Sequence, residues 1–395
     1  MKILFIAPFN LKLRDGTTTR VLNLARAALQ TSEEVYLLSP TMSEDLQLNH
    51  VIHVKIRDLR PIYHFALAYM SELFKLFTHR LNIEILGLSR NDVIRLKDID
   101  VIHVHWILFK YIAKIISRIV EVPAPIVIDL HGSWNLQYPS TQTLKDILAF
   151  ELGRKLESYV LTRDEDSAFT SPSKNLNVYL ARLYGINLRR MFEVRDFVEP
   201  EVIESSKRCN RIDEVNKIVD KIPANVVAYA GSTTMYHGFP DLLKAFIVVR
   251  KILAYDIKML LITPNQPPNL RSRDIVVLNN IPRRLIPCVL RRATVLVLPH
   301  RTGTQFDYIP SNKIYDYMLA GRPIVAYITP AANETLVGYS MYLPVKPNDP
   351  VELARGIVKA VELYGKSEPK PAYDKVPTLN EVAEALKKVY LSLIK

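Results

Sequence analysis

Lys313 and Asp316 stand three residues apart, just after Pro310, Ser311 and Asn312. A lysine in the first turn of a helix adds a cation to backbone N–H groups that lack intrahelical partners, which makes an anion site. A carboxylate one turn further on can accept from two sugar hydroxyls. His131 with Gly132 follows the apolar run Ile126 to Leu130, at the end of a strand where open α/β sheets bind ligands. A lone histidine there is either a structural group or a site group, and the adjacent glycine favours the site. Gly231 and Gly238 bracket a polar loop after the apolar run Val226 to Ala230, a pattern of strand, glycine, polar loop, glycine and helix.

The elements that must hold these residues follow from periodicity. Residues 294–298 read as a strand, and a polar loop with Gly303 follows. Ser311 is the expected N-cap of a helix whose face carries Ile314, Tyr315, Met318 and Leu319. Gly321 ends it, Pro323 prevents its continuation, and Ile324 opens another strand. Earlier strands are expected at 2–8, 35–39, 51–54, 101–106 and 126–130, and later ones at 226–230, 258–263 and 275–278. Gly16 opens a helix to about residue 30, with Val21, Leu24, Ala25, Ala28 and Leu29 as its stripe. The loop before it lacks Gly-x-Gly-x-x-Gly, which argues against a dinucleotide. Thr17, Thr18 and Thr19 suit an anion or a plain helix start equally. The aromatic-rich stretch 61–78 is a core helix or one that dips into a lipid interface. Lys110, Lys114 and Arg118 form a stripe that is a solvated face or a contact for anionic lipid.

Length and composition set bounds. A chain of 395 residues with 49% hydrophobic and 23% charged residues suits two or three globular domains. Its net charge of +12 is spread in pairs such as Arg189-Arg190, Arg283-Arg284 and Arg291-Arg292. That spread points to phosphate ligands and a membrane surface, not to nucleic acid. Two cysteines, Cys209 and Cys288, predict no disulfide framework and a reducing compartment. No signal peptide is expected, and no charge-free run reaches the ~18 residues of a membrane span.

The run Pro310, Lys313, Asp316, Tyr317, Met318, Gly321, Pro323, Ile324, Val325, Ala326 resembles the signature of family-4-type retaining glycosyltransferases, the glycosyl transferases group 1. There the pattern is Pro-x-x-Lys-x-x-Glu-Tyr-Met-x-x-Gly-x-Pro-Val-Val-Ala. The resemblance implies an α/β fold of the GT-B type, two Rossmann-like domains facing across a cleft. It places an acceptor-side domain at 1–198, a nucleotide-sugar domain at 199–372, and a helix at 373–395 that crosses back to the first domain. The implied reaction moves a sugar from a nucleotide-diphosphate sugar to a glycan or lipid-linked acceptor, with retention and with no metal and no cofactor.

Carried over position by position, the resemblance assigns Asp316 to the ribose hydroxyls and His131 to the neighbourhood of the transferred sugar. Gly16, Gly231, Ser232, His237, Arg301, Tyr308, Ser311, Asn312 and Lys313 become substrate-binding candidates. The chain also departs from the family. The loop Gly-Arg-Leu-x-x-x-Lys-Gly has Ser232 and His237 in place of its two cations. The first of two glutamates spaced seven apart is Tyr308, beside Asp307. Those departures motivate a second reading, a non-catalytic protein of the same fold that binds a nucleotide sugar or a partner enzyme. A sugar-nucleotide epimerase is a third. The expected location is the cytoplasm, with peripheral contact at an anionic membrane face.

Overall fold

The structure is a computed structural model. It describes residues 1–11, 16–41, 50–58, 84, 86–121, 123–136, 143–235, 237–252, 256–264, 270 and 272–394, without the side chains of 145, 146 and 149. The aromatic stretch 61–78 lies outside the described residues. The chain divides into two compact units, Met1–Phe197 with Leu379–Lys395, and Val198–Thr378.

The first unit is built on a seven-stranded parallel sheet: β1 (Lys2–Ile6), β2 (Glu34–Ser39), β3 (Val51–Lys55), β4 (Val101–His105), β5 (Ile126–Asp129), β6 (Ala168–Ser171) and β7 (Met191–Glu193). Their order is β3-β2-β1-β4-β5-β6-β7. Between them run α1 (Gly16–Leu29), α2 (Arg90–Arg95), α3 (Lys110–Val120), α4 (Leu144–Thr162) and α5 (Lys174–Tyr184). A parallel sheet covered on both faces needs apolar residues at every position of its inner strands. Accordingly Ile3 and Phe5 of β1 join one core with α1, while Leu4 and Ile6 join the other with Ile112, Ile115 and Ile116 of α3. Of the basic stripe on α3, Lys110 pairs with the buried Asp164, and Lys114 and Arg118 are half-buried. The stripe is therefore not a free cationic face.

The second unit opens with α6 (Pro200–Lys207) and α7 (Asp213–Val219), in a charged stretch whose composition reads as a linker with a lead helix. Its parallel sheet contains β8 (Val226–Ala230), β9 (Lys258–Thr263), β10 (Ile275–Asn279), β11 (Val295–Leu298), β12 (Ile324–Tyr327) and β13 (Tyr342–Val345), in the order β10-β9-β8-β11-β12-β13. Helices α8 (Phe239–Ile252), α9 (Ile286–Leu290), α10 (Lys313–Ala320), α11 (Pro330–Leu336) and α12 (Pro350–Tyr364) connect them. Val226, Ala228 and Ala230 pack with α10, whereas Val227 and Tyr229 pack with α8 and α12.

The final helix, α13 (Leu379–Leu391), belongs to the first unit. Val382, Ala383, Leu386, Val389 and Tyr390 complete the core that contains α1. The Tyr390 hydroxyl lies 2.7 Å from His103 Nδ1 on β4.

One expectation is corrected. Cys209 and Cys288 form a disulfide across 79 residues of sequence. Cys209 sits in a short turn before α7 and Cys288 in α9, both buried in one cluster with Val215 and Leu285. Two cysteines so far apart carry no spacing signal, so counting them could not reveal the pair. Among the described residues, no helix is long and apolar enough to cross a membrane.

Candidate functional site

In the second sheet the chain runs from β8 outward to β9 and β10, then returns to the other side of β8 as β11. The loops after β8 and β11 therefore leave in opposite directions, and such a switch point is where open α/β sheets bind ligands. Both loops carry candidate residues. Tyr317 of α10 ties the two strands together beneath them: its hydroxyl accepts from Ala230 N at 3.0 Å and donates to the Val297 carbonyl at 3.2 Å.

Lys313, the first residue of α10, is the centre of this site. Its amine donates to the Tyr229 hydroxyl at 3.0 Å and lies 3.4 Å from His300 Nε2. Tyr229 in turn donates to the Ser232 carbonyl at 2.6 Å, which fixes the start of the β8 loop. Gly231 has φ +130°, and a Cβ there would fall within 2.5 Å of the Lys313 amine. Glycine is required because the lysine stem occupies the space a side chain would fill. Burial pushes the Lys313 amine down to about 7, since few groups nearby compensate its charge.

The two histidines beside Lys313 are neutral rings. His237 is driven down to about 3 by burial and then by the neighbouring lysine. His300 lies well below the usual histidine range for the same two reasons, with His237 adding to them. His300 stacks on Phe306 with ring centroids 4.0 Å apart, and His237 meets His300 edge-on at 5.5 Å. Thr234 Oγ1 lies 2.6 Å from His237 Nδ1.

Asp316, one turn into α10, is buried and paired with Arg283, which also lies 3.7 Å from Glu199 Oε2. Burial raises the Asp316 carboxyl, and Arg283 only partly opposes that shift. The remaining candidates flank this centre. Arg301 Nε lies 3.4 Å from Asp241 of α8. Tyr308 is half-buried after the turn Gln305–Asp307, and Asp307 accepts from Gly303 N at 2.7 Å. Ser311 and Asn312 are half-buried at the helix start. The helix begins later than expected: its N-cap is Asn312, with no side-chain capping bond, and not Ser311.

Two candidates lie in the first unit. Gly16 is exposed at the first residue of α1, with nothing within 4 Å of where a Cβ would be. His131 follows β5; its Nε2 is 2.9 Å from Asp129 Oδ2 and 2.8 Å from His105 Nδ1, and its side chain is 4% exposed. Asp129 is held by Arg20, whose Nε and Nη2 donate at 2.8 and 2.7 Å, and by Thr170 Oγ1 at 2.7 Å. Arg20 also donates to Asp196 at 2.8 Å. Burial opposes the Asp129 charge, but Arg20 and then His131 hold the carboxyl well below its ordinary value. Burial lowers His105 to about 4. Its Nε2 has no hydrogen-bond partner among the described residues, so the ring's proton belongs on Nδ1, facing Asp129 and His131.

His105, Asp129 and His131 present donor atoms within 4.8 Å of one another, a spacing that could hold a cation. Arg20 also takes both oxygens of Asp129, so His131 is held by a buried cluster of Arg20, His105 and Asp129. The partners Arg20, Asp129, Tyr229, Arg283 and His300 are absent from the sequence-based candidates. Asp129 and Tyr229 stand two residues before the candidates His131 and Gly231, His300 follows β11, and Arg20 and Arg283 are brought in from far along the chain.

Residues 224–362 match the family described as glycosyl transferases group 1. No curated protein matches the sequence. Among solved structures, the chain is similar to a glycosyltransferase from Rickettsia africae ESF-5, at 14% identity over 100% of this chain and 94% of that one, with a TM-score of 0.61. It is similar to a UDP-forming α,α-trehalose-phosphate synthase from Burkholderia xenovorans, at 12% identity over 100% and 99% of the two chains, TM-score 0.64. It is also similar to HepE from Anabaena, solved with UDP and glucose, at 14% identity over 99% and 98%, TM-score 0.59. The chain thus has an α/β fold of the GT-B type, and the stretch 224–362, which holds the switch point around Lys313, matches the glycosyl transferases group 1.

Proposed function

We propose that the chain is a glycosyltransferase that moves a sugar from a nucleotide-diphosphate sugar to a glycan or lipid-linked acceptor, with retention of configuration. The observation that carries this reading is the Lys313 amine, poised beside the Gly231 loop at the switch point of the second sheet. Cleaving the donor's glycosidic bond leaves negative charge on the departing diphosphate. Stabilising that charge is the main catalytic task, and a fixed cation and a helix start can perform it without a metal. On this reading Lys313 and the start of α10 receive the diphosphate, aided by the backbone of Gly231 and Ser232. Asp316 accepts from the ribose hydroxyls once Arg283 yields it. His131, oriented by Asp129, lies beside the transferred sugar. Peripheral contact with an anionic membrane belongs to the same proposal and is supported by the net charge of +12.

A second reading is favoured by one observation. Ser232 and the neutral His237 stand where the family carries cations, so the loop itself brings no positive charge. A non-catalytic protein that still binds a nucleotide sugar would fit that loss.

The test is thermal stabilisation by UDP, GDP and ADP, in the wild type and in Asp316→Asn and Lys313→Met, followed by nucleotide release with and without acceptor glycosides. UDP comes first, because HepE is solved with it. Stabilisation that disappears in the variants, with release that depends on acceptor, supports transfer. Stabilisation with no release supports the binding protein. No stabilisation by any nucleotide removes the donor site from where it is placed here.

A further inference from the structure

The first sheet has its own switch point. The chain runs from β1 outward to β2 and β3, then returns beside β1 as β4. The first residue beyond β4 is Trp106, at φ +73° and ψ +131°. A residue with a β-carbon held there costs on the order of 1–3 kcal/mol, and such positions persist only where the surroundings enforce them. Here the Trp106 N–H donates to the Asp129 carbonyl at 3.1 Å, and the indole stacks on His131 with centroids 5.6 Å apart and planes 20° from parallel.

A second indole is brought to the same place by different means. Trp134 N donates to the buried Glu157 carboxylate at 2.6 Å, and Ser133 Oγ donates to it at 2.7 Å. Burial raises that carboxyl, and these donors partly oppose the shift. The Trp134 ring lies directly on α4 at Gly153, where a Cβ would come within 2.7 Å of the indole carbons. Phe150, one turn earlier on α4, flanks it at 6.3 Å. The two indole centroids are 6.5 Å apart with planes at 60°, and both residues are half-buried. These are the chain's only two tryptophans.

Two large, part-exposed rings angled to one another at a sheet switch point fit a particular ligand chemistry. A pyranose presents one face of C–H groups that its oxygens make partly positive, and the negative face of an indole attracts it. We propose that Trp106 and Trp134 form a carbohydrate platform that receives a pyranose ring of the acceptor, next to His131. This deepens the glycosyltransferase reading and rests on it for the word acceptor. It assigns the acceptor to sugar-bearing molecules. The strained Trp106 backbone and the glycine seat for Trp134 are the devices that fix the platform.

The experiment uses the two tryptophans as their own reporters. Emission and acrylamide quenching are followed in the full-length protein and in Trp134→Phe, whose emission comes from Trp106 alone. The probes are methyl glycosides of glucose, galactose and mannose, and the corresponding octyl glycosides below micelle formation. A saturable change with protection from acrylamide is expected for one sugar configuration. An equal response to its methyl and octyl forms marks a free glycan, and a stronger response to the octyl form marks a lipid-linked one. Trp106→Leu should weaken the remaining Trp134 response about tenfold, and Trp106→Phe should restore it. In a transfer assay, Trp106→Leu should raise the KM for acceptor and leave the KM for donor unchanged. If neither tryptophan responds to any glycoside while UDP still stabilises the protein, the platform is wrong and the transferase reading stands. If the tryptophans respond while no nucleotide stabilises the protein, the platform stands as a carbohydrate site and the donor reading is lost.

Discussion

The stem of Lys313 runs through the space that a side chain on Gly231 would occupy. The glycine after β8 is therefore what admits the lysine of α10 into this place. Gly231→Ala must either move the lysine or distort a backbone already at φ +130°. We expect a loss of about 1–3 kcal/mol in stability. We also expect nucleotide affinity to fall at least as far as in Lys313→Met. In a double-mutant cycle the combined variant should be no worse than the poorer single one, because both remove the same cation. Additive losses in calorimetry would show that Gly231 acts separately.

Nucleotide affinity should depend on pH through Lys313. Burial lowers its amine to about 7, so the ligand-free protein holds it increasingly neutral as pH rises above that value. An unfolded lysine keeps its proton to about 10.4, so the unfolded state binds more protons between those limits. Stability of the ligand-free protein should therefore rise with pH across that window. A bound diphosphate reverses the preference and draws a proton onto the amine. Affinity should be greatest below about pH 7 and fall by up to tenfold per unit above it, while the nucleotide's own charge is constant. Calorimetry in buffers of different ionisation enthalpy should show proton uptake on binding. Lys313→Met should abolish the uptake, and uptake that persists in that variant would assign it elsewhere.

Arg283 should matter more at neutral pH than in acid. The Asp316 carboxyl is raised by burial, and Arg283 holds that rise in check. A carboxyl raised in the folded state contributes stability that is present below its unfolded value and lost as pH climbs through the folded one. Removing Arg283 lifts the folded value further, so Arg283→Ala should widen the loss toward neutrality. Breaking a buried pair costs ~3–5 kcal/mol; because Arg283 partly reaches solvent, we expect about 1–3 kcal/mol near neutrality and less near pH 4. Urea unfolding at the two pH values checks this, and a penalty independent of pH would mean that Arg283 acts through packing.

The Cys209–Cys288 bond closes a loop of 79 residues within the second unit. Chain-entropy arguments give such a closure roughly 4–5 kcal/mol. Reduction, or Cys288→Ala, should lower the unfolding midpoint of Val198–Thr378 without removing the nucleotide response. Thiol titration of the unreduced, denatured protein should find no reactive thiols. Two thiols per chain would refute the pairing.

The sequence showed most inner strands of both sheets because such parallel strands are continuous apolar runs. Val226–Ala230 and Lys258–Thr263 fall at the expected bounds. β13 was not legible: Tyr342–Val345 is a half-buried edge strand that contains Pro344. The start of α10 slipped from Ser311 to Asn312 because serine is the better capping residue, yet the cap here makes no side-chain bond. The motif residues Gly231, Lys313 and Asp316 could be picked out locally, but their partners could not. Arg20 reaches Asp129 across 109 residues and Asp196 across 176, distances over which no periodicity carries information. Arg283 reads in the sequence as half of a diffuse basic pair, and only the fold sets it against Asp316.

The helix Leu379–Leu391 supplies Tyr390 to His103 and the last wall of the core around α1. A ribosome delivers β1 and α1 long before that helix, with the whole of Val198–Thr378 made in between. At about 5–20 residues per second, the apolar stripe of α1 waits uncovered for on the order of ten seconds or more, while the middle of the chain is free to finish folding. The core around α1 is thus sealed only after the whole second unit has been made. A translation product that stopped before residue 379 would combine a complete second unit with an open first one, the kind of exposed apolar surface that chaperones and proteases recognise.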